Sequence, residues 1–346
     1  MTKRGFVYQL QRAWYGGGRW VYWLLPLEGL FRFLVRVRRW WLRCIGPKAL
    51  NIPVVVVGNI SVGGTGKTPL IIALVQHLQK RGWQVGVISR GYGSAAPEYP
   101  YVISALSTAR EADDEPLSIW RATGCAVCID ADRVAAARIL QKAGCDILLA
   151  DDGLQHYRLP RVIEIAVVDA ARMFGNAHCL PVGPLREPVS RLRSVDFVVL
   201  NQTRTDADGS LVDSYSMRLQ PVRWLRVKDL RPRVLDDFPR GTHVHAVAGI
   251  GHPERFFDTL TQLGLTPVCH IYPDHYPFSA ADLNFREPHP VVMTSKDAVK
   301  CQTFAQQDWW ALEVAAVLDK RFWPHFDKAL QAHLPTMQTA GSGPEE

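Results

Sequence analysis

The stretch from Val54 to Thr68 reads VVVVGNISVGGTGKT, an apolar β-type run that breaks into glycines and ends in Gly66-Lys67-Thr68. Each residue type there answers a need of a bound triphosphate. Glycines let backbone N–H groups curl around phosphate oxygens, a lysine reaches the β- and γ-phosphates, and a hydroxyl ligates Mg2+. The helix expected after the loop points its positive dipole end at the anion. Gly63, Gly64, Thr65, Gly66, Lys67 and Thr68 are therefore the expected nucleotide-binding residues, with ATP and Mg2+ as the implied ligands. Strand, glycine loop and helix in this order constrain the chain to an α/β fold with the loop at the carboxyl end of a strand.

The loop departs from the strict G-x-x-x-x-G-K-[ST] pattern, because Ser61 stands where the first glycine belongs; Gly63 and Gly64 supply the flexibility instead. Its spacing resembles the K-G-G-x-G-K-T loops of some dimeric ATPases, with Val62 replacing their extra lysine. Pro69 follows at once, which a first helical turn tolerates. Short β-branched runs at Pro53–Val57, Gln84–Ser89, Ala126–Ile129, Asp146–Ala150, Ile163–Val168 and Phe197–Leu200 alternate with helical patterns such as Leu70–Lys80 and Arg133–Ala143. This alternation predicts a P-loop NTPase-like, mostly parallel sheet covered by helices.

A second apolar strand ends in Asp151-Asp152-Gly-Leu-Gln155-His156. Adjacent carboxylates at a strand tip are the physical form of a Walker B element, and one of them can face Mg2+ beside Thr68. A plain surface turn is the rival reading. GTPases are set aside because Thr294-Ser-Lys296-Asp297 carries its lysine one position late for base recognition. Protein kinases are set aside for want of His-Arg-Asp and Asp-Phe-Gly motifs.

The net charge of +7 hides an uneven distribution. Residues 1–50 hold ten Lys/Arg against the single acid Glu28, so the remainder sums to −2. Five of the eleven tryptophans also fall in this segment, at positions 14, 20, 23, 40 and 41. Arginines interrupt the apolar run too often for a membrane-spanning helix, and no signal-peptide cleavage pattern is evident. Arginine interleaved with Trp, Phe, Leu and Val predicts a helix lying in a membrane interface. Arg32 and Arg36 should share one face, with Phe31, Leu34 and Val35 on the other side. A core helix with a solvated basic face and a nucleic-acid contact are the rivals; bulky, contiguous apolar side chains argue against the latter. The seven cysteines are scattered through apolar runs, and Cys125-Ala-Val-Cys128 has no second pair to complete a zinc site, a pattern that fits a reducing compartment.

Gly58–Pro69, Ser89-Arg90-Gly-Tyr-Gly93, Asp114-Glu115-Pro116, Asp151–His156, Leu180–Pro188, Ala248-Gly-Ile-Gly and Asp274-His275 appear in that order. Together they resemble tetraacyldisaccharide 4'-kinase, the lipid A 4'-kinase family of Gram-negative bacteria, from the basic amino terminus to about residue 320. That resemblance implies ATP- and Mg2+-dependent phosphorylation of the 4'-hydroxyl of a tetraacylated glucosamine disaccharide 1-phosphate. It also implies action at the cytoplasmic face of the inner membrane, on a lipid A precursor and with no nucleic acid or evident protein partner. The family's usual Thr-Glu-Lys-Asp is Thr294-Ser295-Lys-Asp here, so any role of that acidic side chain is not carried over.

By the same resemblance Asp114 and His275 take or relay the acceptor proton alongside Lys67. Asp114 also suits a helix N-cap, and both readings stand at this point. Asp151, Asp152, Thr68 and Glu115 are the expected metal ligands. Arg90, Arg133, Gln155, Arg186 and Glu187 are candidates for substrate contact, the last two in a rigid proline-bounded loop; His156 is a weaker candidate. A composition shift near Arg226–Arg233 marks a linker. The expected organisation is a membrane-interface segment at 1–45, a kinase core at 46–225, a smaller α/β lobe at 226–334 that closes on the core, and a mobile tail at 335–346. A membrane-associated ATPase acting on a protein partner and a non-enzymatic nucleotide sensor are the rival functions.

Overall fold

The computed structural model describes residues 3–46, 50–202 and 213–340. The chain forms two compact units, one built from residues up to 67 with 141–217 and 318 onward, the other from 68–140 with 218–317. The fold is α/β, with strands that pair mostly in parallel.

In the first unit the Val54–Gly58 strand lies between Ile147–Asp151 and Ile163–Asp169, parallel to both, with Val57 level with Asp151 and Ile165. Phe197–Asn201 pairs in parallel with Ile163–Asp169, and the start of Ser214–Arg226 pairs with it in turn. Val54 to Val57 are buried on both faces, which is why their sequence is continuous valine rather than alternating apolar and polar. The register places Asp151, Asp169 and Asn201 at the carboxyl ends of their strands, the same edge from which the glycine loop leaves Gly58. Phe322 and Phe326, on the Phe322–Ala340 helix, pack their rings 5.5 and 6.2 Å from Phe197. Residues 341–346 of the expected tail lie outside the described residues.

The amino terminus forms a Lys3–Gly16 helix, a 3-10 turn at Arg19–Leu24 and a Leu25–Cys44 helix. Trp14 donates its indole N–H to Pro181 O at 3.1 Å, and Trp14, Val21 and Val182 share one apolar cluster. Glu28 is buried and accepts the Cys179 N–H at 2.9 Å, with His178 Nδ1 at 2.7 Å from its other oxygen. Phe31 and Val35 are half-buried one and two turns on from Glu28, and Leu42 is buried on the same side. Leu34 departs from the expected grouping: it is exposed together with Leu27, Leu30, Phe33, Val37, Trp40 and Trp41. The spacing of 28, 31, 35 and 42 selects the packed side, and Leu34 falls on the opposite arc. Among the described residues, no helix is long and apolar enough to cross a membrane.

The second unit contains two sets of strands. Val85–Ser89 pairs in parallel with Ala126–Ile129, against which Tyr101–Val102 runs antiparallel. His243–Ala248 lies between Thr266–Ile271 and Val291–Thr294, and Trp309–Leu318 follows Val291–Thr294, all in parallel. The Pro253–Gln262 helix buries Phe256, Phe257 and Leu260 against Val244, Ala246 and Trp224. Short helices at Asp114–Thr123 and Ser295–Cys301 pack on each other, which sets the second group of functional side chains. The Ser214–Arg226 strand ends where the region read as a linker begins, and the chain turns there so that Pro232–Arg233 pairs antiparallel with it. Its many exposed positions and the central Pro221 hide the β-pattern in the sequence.

Candidate active site

The glycine loop uses positive φ at Gly63 (97°) and Gly66 (87°), where a side chain is strained. Gly66 is required on a second count, because a Cβ there would meet Asn201 Nδ2 at 2.3 Å. The Lys67–Gln79 helix starts directly after it, so its first amides and the dipole end face the loop. Lys67 Nζ lies 3.3 Å from Asp152 Oδ1, and Arg186 Nη1 donates to Asp152 Oδ2 at 2.8 Å. Burial alone would raise the Asp152 carboxyl, but the charges of Lys67 and Arg186 outweigh it and hold the group well below its ordinary range. Asp152 is thus fixed as a carboxylate beside Asp151, itself buried at the strand tip.

The proline-bounded loop is laid against the start of the glycine loop by Arg186 N–H to Ile60 O at 2.7 Å and Val62 N–H to Pro184 O at 2.9 Å. Glu187 is only 1% exposed and fully engaged. It accepts from Gln155 Nε2 at 2.9 Å and Tyr157 Oη at 2.6 Å, with Arg191 at 3.5 Å and Arg39 at 3.8 Å. Gln155 also donates to Asn59 O at 3.1 Å. Gln155 and Glu187 therefore brace the loop that presents Arg186. A pocket of about 90 Å³ opens beside it, lined by Arg32, Arg36 and Arg39 of the Leu25–Cys44 helix together with Arg186 and Glu187.

In the second unit His275 Nδ1 lies 3.2 Å from Asp114 Oδ1. Asp114 is 3% exposed and occupies the first position of its helix. The cap is Asp113, whose carboxylate accepts the Asp114 N–H at 2.8 Å, so the alternative that Asp114 itself caps the helix is corrected by one residue. Asp113 reaches this role with φ at 68°, and His275 faces Asp114 from φ at 58°. Such conformations in non-glycine residues concentrate where a site is held against local strain. Lys296 Nζ is bonded to Glu115 at 3.1 Å and Asp274 at 3.3 Å, with Asp114 Oδ2 at 3.9 Å. Lys300 lies 3.7 Å from Asp114 Oδ2 and 2.7 Å from buried Asp297. Burial would raise the Asp114 carboxyl, yet the His275 bond and the Lys296 charge hold it below its usual value. The same bond raises the imidazole of His275. Burial, and then the negative Asp114, push the Asp113 carboxyl up.

Residues 20–331 match the family model described as Tetraacyldisaccharide-1-P 4'-kinase. The chain belongs to this family. It is 46% identical over 335 residues to the tetraacyldisaccharide 4'-kinase of Pseudomonas entomophila, covering 95% of this chain and 98% of the relative. It is 48% identical over 331 residues to that of Pseudomonas putida, covering 94% and 98%. Among solved structures it is similar to a kinase of this family from Aquifex aeolicus described in complex with ATP. That similarity has a TM-score of 0.76 at 25% identity and covers 90% of this chain and 98% of the other.

Within this family member the residues singled out from sequence fall into two groups. Lys67, Asp151, Asp152, Gln155, Arg186 and Glu187 gather in the first unit, and Asp114, Glu115 and His275 in the second. Arg90 is exposed beside the Tyr92 ring, and Arg133 is buried in the first turn of its helix. His156 is half-buried, with its backbone carbonyl accepting from Arg161. Ser295 donates to Leu312 O at 3.0 Å. Sequence reasoning missed Lys296 and Lys300 as partners of the acidic cluster. Lys296 was read only within Thr294–Asp297, the segment that set GTPases aside, and no local pattern in the sequence joins either lysine to Asp114.

Proposed function

We propose that the chain transfers the γ-phosphate of ATP to the 4'-hydroxyl of tetraacyldisaccharide 1-phosphate. The family match across residues 20–331 carries this reading. Amides of the glycine loop and Lys67 hold the triphosphate. Asp151, Asp152 and the Thr68 hydroxyl are hard oxygen donors of the kind Mg2+ takes, and the ionised state of Asp152 suits that role. Glu115, paired with Lys296, is a further candidate ligand. Bound Mg2+ would neutralise charge on the phosphates. Asp114 accepts the proton of the attacking hydroxyl, and His275 orients the carboxylate and shares that proton. A depressed Asp114 makes a weak base, which is consistent with phosphoryl transfer. In a loose transition state the hydroxyl keeps its proton until late, so position outranks basicity.

Arg186 and the neighbouring Arg32, Arg36 and Arg39 supply cations for the acceptor's 1-phosphate; Arg90 and Arg133 are further candidates for substrate contact. The amino-terminal segment lies in the cytoplasmic leaflet of the inner membrane. Trp23 at 88% exposure in the Arg19–Leu24 turn, and Trp40 at 66% on the exposed arc of the Leu25–Cys44 helix, support this. The test is an assay with ATP labelled at the γ-phosphate and tetraacyldisaccharide 1-phosphate in mixed micelles. Label is expected in the lipid and strongly reduced in Lys67→Ala. Hydrolysis without labelled lipid would favour the ATPase reading instead.

A further inference from the structure

Three consecutive carbonyls of the glycine loop are each held by a side chain of the first unit, one from the loop's own start and two from distant segments. Asn59 Nδ2 donates to Gly63 O at 3.3 Å, Arg172 Nη2 donates to Gly64 O, and Asn201 Nδ2 donates to Thr65 O at 3.0 Å. The donors are themselves fixed. Asn59 and Asn201 are buried, and Arg172 Nε is bonded at 3.0 Å to Asp169 Oδ2, whose other oxygen accepts the Ala171 N–H at 3.0 Å. Arg172 also lies where a Gly63 side chain would go, at 3.2 Å from the Cβ position, as Asn201 does for Gly66.

A planar trans peptide points its N–H opposite to its C=O. Holding the carbonyls of Gly63, Gly64 and Thr65 therefore turns the amide that follows each, of Gly64, Thr65 and Gly66, away from the donor that holds it. Successive amides aimed the same way form an anion-binding concavity. We propose that Asn59, Arg172 and Asn201 are positioning residues that set this concavity before the triphosphate arrives. The loop then needs no reorganisation on binding, and the missing first glycine at Ser61 is tolerated because side chains rather than chain flexibility define the shape. None of the three needs to touch the lipid acceptor. The inference rests on the kinase reading only for its kinetic arm.

The test is Arg172→Met and Asn201→Leu, which keep bulk but remove the donor, with a thermal melt to verify each fold and Asn201→Ala replacing the leucine variant if that one does not fold. Affinity for a fluorescent ATP analogue is expected to fall about tenfold in each variant, since one positioning hydrogen bond is lost. KM for ATP should rise in parallel while KM for the lipid stays within about a factor of two. Arg172→Lys should recover part of the loss. Because Asn201 is uncharged, its variant separates loop geometry from the removal of a cation near phosphate. Unchanged nucleotide affinity in both folded variants, or equal rises in both KM values, overturns the proposal. Analogue binding by a wild-type chain that labels no lipid would instead count against the kinase reading while leaving the loop test intact.

Discussion

The glycine-loop region of the first unit and the acidic cluster of the second are built in opposite ways. The loop is one contiguous segment, Gly58 to Lys67, and the acid beside it, Asp152, is outnumbered by Lys67 and Arg186. The cluster around Asp114 is assembled from residues 113–115, 274–275 and 296–300, and there it is a cation, Lys296, that is surrounded by Asp114, Glu115 and Asp274. Burial lowers the Lys296 ammonium, but those three carboxylates outweigh it and raise the group above its ordinary value. A site that grips a polyanion needs cations fixed by few acids. A site that takes a proton needs a carboxylate kept ionised by nearby cations. The two regions carry these two charge arrangements.

Substitutions can break that comparison from either side. The largest effect is expected at the cluster's centre. Asp114→Ala should lower kcat by about 1000-fold, with little change in ATP affinity, because an acceptor for the hydroxyl proton is lost. A loss of nucleotide affinity instead would blur the division of labour. Next in size is the exposed apolar arc of the Leu25–Cys44 helix. The pair Phe33→Glu and Trp40→Glu should weaken liposome binding by about 100-fold or more, given the apolar area removed from lipid contact. Both side chains are exposed, so a thermal melt should not move. At the loop, Gly66→Ala forces a Cβ onto Asn201 Nδ2 at positive φ. Overpacking of this kind costs about 1–3 kcal/mol, to be seen as weaker ATP binding in a titration.

The smallest effect separates stability from catalysis. Burial, and then the neighbouring His245 at 3.0 Å, lower the His270 imidazole below its ordinary 6.5. A lowered imidazole means the unfolded chain binds the proton more readily. Stability should therefore be complete above pH 6.5 and decline as the pH falls below it. Denaturant midpoints across that range should show the decline, and His270→Phe should flatten it while leaving kcat unchanged.

The contrast also explains what could be read in advance. The expected strands Pro53–Val57, Ala126–Ile129 and Ile163–Val168 lie within a residue of the observed Val54–Gly58, Ala126–Ile129 and Ile163–Asp169, because strands buried on both faces leave few alternatives to apolar residues. The loop's need for glycine at positions 63 and 66 was legible, since both take positive φ. Asp114 and His275 have no such local signature, and only resemblance to a family paired them. Lys296 and Lys300 went unseen because an ion pair between distant segments leaves no periodicity. The same holds for Asn59, Arg172 and Asn201, whose contacts to loop carbonyls depend on strand register rather than on any motif. Ser214–Arg226 was missed for another reason, since exposed polar residues and Pro221 mask a strand.

The central claim is a phosphate ester at one defined position of a lipid. Phosphorus NMR of the lipid recovered after incubation with ATP and Mg2+ measures it directly. The account predicts a second phosphomonoester resonance on the disaccharide, coupled to the proton at carbon 4', and its absence with Asp114→Ala. A lipid that returns with its single 1-phosphate unchanged while inorganic phosphate accumulates would contradict it.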